Sequence, residues 1–318
     1  MNASEMLSAA NACHDDEPAR GAEILRSLDA AALAADERPL LAFLLNHVLG
    51  EKLGAWAEAD SRQTALLQLA GAEGRTPPAV LLRQAAVAAH LGGADDGPAR
   101  LASLSAELAE SAAVPPARAL ELVQLAAAAF HLPGLDAAAA GALAGAALAP
   151  LASAPWQQPG GLDSAAAAQC NNIAGDLAER PLAALQEPML REALARAAAT
   201  SQQLWQRAGT WVNWERACYL RALCAGALGD VATARAQATA GLALLDEHDA
   251  AHEQGVDRAF LEMELAWACD ALGLAFEAAA AHARAEALAA DFGDAGLTAW
   301  FRQRSERNRL LADQRSGR

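Results

Sequence analysis

Apolar residues recur along this chain at helical spacing, and glycines interrupt them. Tyr219 to Leu228 is apolar on a helical period, Gly229-Asp230 breaks the run, and Val231 to Leu245 resumes it. A polar stretch, DEHDAAHEQGVDR, follows. The pattern then repeats: Phe260 to Leu272, a break at Gly273, and Ala275 to Ala290. Each unit reads as helix, tight turn, helix. The same punctuation occurs earlier as His-x-x-Gly: NHVLG ending at Gly50, AHLGG at Gly93 and FHLPG at Gly134. These glycines lie 43 and 41 residues apart, and Gly229 and Gly273 lie 44 apart. Self-similarity at such a period predicts stacked helical pairs, with turns at Gly50, Gly93, Gly134, Gly229 and Gly273. No run alternates with the period of a strand, so the expected class is all-α.

The remaining segments fit six or seven helical pairs. Helices are expected over Asn2–Asn11 and Glu23–Ala34. A degenerate unit fits between Gly134 and Gly229, with helices from Ser164 to Glu179 and from Met189 to Gly209 around a turn at Arg180-Pro181. Before it, APLASAPWQQPGGLDS is rich in proline and paired glycine and has no helical period. The expected organisation is therefore helical repeats over 1–148, a linker or flap loop over 149–163, and repeats with a terminal capping helix over 164–318. Trp156 stands in the middle of the loop, either pinning it to the core or presented for function.

The repeats resemble the tetratricopeptide repeat family. Ala222, Gly229, Ala234 and Gly241 match its small positions in one unit, and Ala266, Gly273, Ala278 and Ala285 match them in the next. Ala127, Gly134, Ala139 and Ala146 match around Pro133. Small residues there let helix axes approach to about 8–10 Å. The resemblance is good over roughly 119–150 and 215–290 and fair over 38–110. The chain departs from the family in its period, 41–44 rather than 34, and lacks the aromatic of the first helix. The resemblance implies a right-handed α-α superhelix of the tetratricopeptide type, whose first helices line a concave groove that takes peptides or protein segments.

Composition narrows the partners. The net charge is −15, with 39 acids against 24 bases, which argues against a nucleic-acid surface. Apolar residues make up 54% but aromatics only 4%, and alanine fills the difference. Five cysteines without a CxxC pair read as reduced, mostly buried thiols. The N-terminus lacks a basic n-region and an apolar h-region, so a cytoplasmic location is expected. The uncharged stretch from Ala137 to Leu162 is broken by Pro150, Pro155 and Pro159, so no membrane span is expected. The C-terminal FRQRSERNRLLADQRSGR carries six arginines against two acids and reads as a polar cap.

Three constellations are candidates for chemistry. His47, His90 and His131 occupy one equivalent position near helix ends, too far apart to share a metal. They read as helix-end stabilisers or as groove-lining contacts. His248 and His252 lie four apart, like the histidines of a metalloprotease helix, but Asp249 replaces the catalytic glutamate and no third ligand is evident. No stoichiometric zinc or iron, and no cofactor, is therefore expected in this chain. The third lies in SQQLWQRAGTWVNWERACYLR, which holds Trp205, Trp211 and Trp214 together with Arg207, Asn213, Glu215 and Arg216. Tryptophan and arginine dominate binding hot spots. Asn171 and Asn172, in an otherwise alanine-filled helix, are expected to complete a polar pocket with aromatic walls. The competing reading is that the tryptophans fill space between alanines and the polar groups satisfy a buried turn. Two functions follow: a module that binds a peptide or protein segment in its groove, or an enzyme or small-molecule sensor with a pocket around Asn171, Trp211 and Arg216. The oligomeric state is not legible.

Overall fold

The computed structural model describes residues 1–251 and 253–315, and among them every regular element is helical. Sixteen α-helices follow one another: α1 (Ala3–Cys13), α2 (Pro18–Ser27), α3 (Arg38–Leu44), α4 (Trp56–Ala72), α5 (Ala79–Leu91), α6 (Gly97–Ser111), α7 (Pro116–His131), α8 (Ala137–Leu148), α9 (Ala154–Gln157), α10 (Asp163–Glu179), α11 (Pro188–Ala208), α12 (Trp211–Leu228), α13 (Val231–His248), α14 (Gly255–Ala271), α15 (Ala275–Ala289) and α16 (Ala295–Arg315). A π-helical stretch, Leu45–Lys52, continues α3. Among the described residues no helix is long and apolar enough to cross a membrane.

The chain divides into two compact units. The first holds residues 1–131 and 154–162, the second 132–153 and 163–318.

In the first unit α1 packs on α2, the π-helical continuation of α3 on α4, and α5 on α6, while α7 packs against α5 and α6. The first helices form a row, with α3 touching α1 and α5, and α5 touching α7. Buried amides set the register across this row. Asn46 Nδ2 donates to the Gln84 carbonyl and Oε1 at 2.9 and 2.7 Å, and Gln63 Nε2 donates to Asn46 Oδ1 at 3.0 Å.

In the second unit α10/α11, α12/α13 and α14/α15 form three hairpins. Their first helices again sit side by side, α10 on α12 and α12 on α14, while α8 packs on α11 and α16 on α14. The alanines that the family resemblance names around Gly229 and Gly273 are buried, while Ala139 and Ala146 on α8 are exposed. Ala222 and Ala234 are fully buried, and a Cβ on Gly241 would come within 2.8 Å of Leu261 Cδ2. Gly229 and Gly273 end α12 and α14 as expected, at φ 81° and 75°. That left-handed backbone is open to glycine at little cost.

Four expectations are corrected. Gly50 is not a turn: it lies within the π-helical stretch, and a Cβ there would meet the Trp56 ring at 2.5 Å. Its glycine makes room for an indole. The positive-φ turn comes at Gly54, φ 67°. The helix expected over Glu23–Ala34 splits, because α2 ends at Ser27 and Asp29 caps a separate 3-10 turn by accepting from Ala31 N. The Ala127–Gly134–Ala139–Ala146 match does not lie within one hairpin, since α7 belongs to the first unit and α8 to the second.

The fourth concerns 149–163, which is not a structureless linker. It contains a 3-10 turn over Ala149–Ala152 and the short α9. Trp156 in α9 is 1% exposed, its Nε1 donates to Glu121 Oε2 at 2.6 Å, and the Arg118 guanidinium lies 4.2 Å over its ring. That indole pins residues 154–162 within the first unit.

Candidate binding face of the second unit

Helix α16 is amphipathic in an unusual way: its buried face is partly charged. Phe301, Arg304, Asn308 and Leu311 are 3%, 4%, 5% and 9% exposed, at spacings that share one helix face. Phe301 joins the apolar cluster of Ala259, Phe260, Met263, Ala285 and Ala289 on α14 and α15. Leu311 joins Ala225, Val231, Ala234, Trp267 and Ala268. Between these apolar anchors the polar residues meet α14. Arg304 pairs with Glu264 at 3.6 Å, both side chains almost fully buried, and Asn308 Nδ2 donates to Glu264 Oε1 at 3.2 Å.

Farther along, Arg307 reaches α10. Its Nη2 donates to the carbonyls of Ala178 and Arg180 at 2.5 and 2.7 Å. Helix C-termini leave such carbonyls without intrahelical partners and carry partial negative charge. The arginine satisfies both conditions. Helix α16 thus touches two of the three first helices and lies in the electrostatic range of Tyr219 on the third, α12. Burial raises the Glu264 carboxyl, against the lowering pull of Arg304 and Asn308. Burial also raises the Tyr219 phenol. The C-terminal arginines are therefore not a purely solvated cap. Removing one partner of a buried pair of this kind costs about 3–5 kcal/mol.

Beside α16 an open cleft of about 550 Å³ lies between α14, α15 and α16. Trp267, Asp270, His282, Asn308 and Asp313 line it. The Trp267 Nε1–H is buried there without an acceptor among the described residues.

The residues singled out from the sequence are used differently. Trp214 Nε1 donates to the Trp205 carbonyl at 2.9 Å. Asn213 Oδ1 accepts from Thr210 N at 3.0 Å and closes a capping box at the start of α12. Arg207 pairs with buried Asp163 at 3.3 Å, and Arg216 with Asp257 at 3.1 Å. Trp211 stacks on His248, ring centroids 5.5 Å apart. These contacts tie α11 and α12 to each other around the Gly209-Thr210 turn and to α10, α13 and α14. Asn171 is half-buried and Asn172 exposed on α10, and neither side chain makes a hydrogen bond among the described residues. Among the described residues no hydrogen bond joins the two asparagines to the Trp211–Arg216 group.

Glu215 is the exception in this segment. Its carboxyl is fully buried, both oxygens lack a hydrogen-bond partner, and burial with Asp257 pushes its pKa up to about 8. The Asp249 carboxylate adds to this rise, while Arg216 and Arg258 oppose it.

The histidine constellations also part ways. His90 and His131 are largely exposed, and the partial burial of the His90 ring, then the charge of His131, lowers the pKa of His90. His47 instead contacts Glu51 and Asp15. Helix α13 ends at His248, with Asp249 as its C-cap. Asp249 accepts from Glu253 N and Gln254 N, so the stretch turns instead of continuing as helix. His252 lies outside the described residues. All five cysteines are buried free thiols, and burial raises Cys170 and lifts Cys224 to about 12. Such thiols are chemically inert.

Sequence reasoning missed Glu264, Arg304, Arg307 and Asn308. The signal was present in FRQRSERNRLL, where Phe301, Arg304, Asn308 and Leu311 fall on one face, and in the two acids of the apolar run FLEMELAW. Neither protein-family models nor curated proteins give a match to this chain.

Proposed function

We propose that this protein is a helical-repeat interaction module, a right-handed superhelix of the tetratricopeptide type, that binds a helical segment of a protein partner. The binding face is the row α10, α12, α14 of the second unit. The seating of α16 carries this reading. That helix is held as a helical ligand would be, by apolar anchors at each end, a charge-paired arginine, and an arginine on helix-end carbonyls. The partner segment presents the same chemistry: an aromatic or leucine anchor, then arginines one turn and two turns on. Helix-in-groove recognition reads anchors at such spacings.

The enzyme or sensor reading gains one observation, the raised Glu215 carboxyl. That carboxyl has no exposed surface, so no substrate reaches it.

A labelled peptide of residues 295–315 tests the proposal in trans, titrated onto the intact chain and onto Arg307→Ala/Leu311→Ala. The wild type should bind at least tenfold more weakly than the variant, because tethered α16 competes at an effective concentration on the order of millimolar. A variant that keeps its helical circular dichroism yet binds no peptide would show that the face does not take a helix.

A further inference from the structure

We propose that His14, Asp15 and His47 form a site for a divalent transition metal, zinc being the ion that suits them best. The three residues come from two separate parts of the first unit. His14 and Asp15 follow the end of α1, and His47 lies in the π-helical stretch after α3. Their donor atoms all lie within 4.8 Å of one another.

The geometry is that of a ligand set and not of a chance cluster. Each imidazole points its Nε2 at the same carboxylate. His14 Nε2 lies 3.2 Å from Asp15 Oδ2, and His47 Nε2 lies 3.1 Å from Asp15 Oδ1. Donors on a tetrahedral zinc with bonds of about 2.0–2.1 Å stand about 3.3 Å apart. The two imidazole–carboxylate distances are close to that length, one to each oxygen of Asp15.

The other ring nitrogens supply an independent observation. His14 Nδ1 is bonded to the Asn11 carbonyl at 2.5 Å, and His47 Nδ1 to Glu51 Oε2 at 2.6 Å. With Nδ1–H donating to these oxygens, Nε2 carries the lone pair that a metal needs. A carbonyl or carboxylate holding the far nitrogen is what orients metal-binding histidines. Glu51 and His47 share the π-helical stretch, a rare conformation that recurs at functional sites. Phe43 stacks on the His47 ring, centroids 5.3 Å apart, and holds it from the other side.

The ammonium of Lys52 lies 3.0 Å from Asp15 Oδ1 and occupies the cation's electrostatic place. A third of its side chain is exposed, which leaves it room to swing into water. Asp15 is exposed and both histidines are half-buried, so the site is open to an ion from solvent. Two imidazoles and one carboxylate leave a fourth position for water or a partner's ligand.

Zinc chloride alone, titrated calorimetrically into the full-length chain with its thiols reduced, tests the site. The expected result is one equivalent bound. His14→Ala and His47→Ala each abolish it, and Glu51→Gln weakens it about 10–100-fold. Lys52→Ala, which removes the competing cation, tightens it. His90→Ala/His131→Ala leaves it unchanged. X-ray absorption of the zinc form should show nitrogen and oxygen neighbours only. Undiminished binding in His14→Ala and His47→Ala variants of native circular dichroism would overturn the proposal. So would sulfur in the coordination shell, which would point to neighbouring Cys13, or no stoichiometric binding at tens of micromolar zinc.

Discussion

Glu215 shows how one residue can dominate the pH behaviour of a helical unit. Its carboxyl is buried without a partner and its pKa is raised from 4.5 to about 8. A carboxyl raised in the folded state holds a proton that the unfolded chain has already released. Stability is therefore full near and below the unfolded value and falls as pH rises through the window from about 4.5 to about 8. Glu215→Gln keeps the shape and removes the ionisation. The variant should match the wild type near pH 5 and exceed it at pH 9 by on the order of a few kcal/mol. Parallel stability profiles from pH 5 to 9 would show that Glu215 does not ionise on unfolding. Residue type made this segment conspicuous in the sequence, but not its role. The tryptophans and Asn213 serve the Gly209-Thr210 turn, because a helix start must satisfy its free N–H groups and indoles fill space beside small residues. Distinguishing a cap from a ligand contact needs the partner atom, which one-dimensional spacing does not hold.

Elements were legible where glycine and alanine do local work. The hairpins around Gly229 and Gly273 follow from a left-handed turn residue flanked by buried small residues, and both signals are local. The same letters misled at Gly50, where His-x-x-Gly marks a cradle for Trp56 and not a turn. The two meanings separate experimentally. Gly50→Ala should destabilise by about 1–3 kcal/mol through overpacking against the indole. Gly134→Ala, whose Cβ would meet nothing within 4 Å, should shift the denaturation midpoint little. Equal effects at the two positions would mean that the Trp56 contact yields freely. The segment 149–163 reads as a linker because proline and glycine suppress helical periodicity. The Arg118–Trp156–Glu121 contacts that fix it span 35 residues or more and leave no local pattern.

At the scale of the whole chain, a net charge of −15 sits on a protein whose C-terminal helix is rich in arginine. Within the second unit that contrast has a use: α16 brings Arg304 and Arg307 to a carboxylate and to helix-end carbonyls. No sequence period predicts such a contact, because Arg307 and Ala178 are 129 residues apart. If α16 is a replaceable occupant of the binding face, it must detach without unfolding the helices beneath it. Native-state hydrogen exchange of the intact chain measures this directly, since local openings and global unfolding have separate free energies. The amides of residues 297–313 should exchange through an opening well below the global free energy and almost insensitive to denaturant, while those of α12 and α14 exchange only on global unfolding. Exchange of α16 at the same free energy and denaturant dependence as α12 and α14 would contradict this. It would make α16 a permanent part of the core and leave no face for a partner to take.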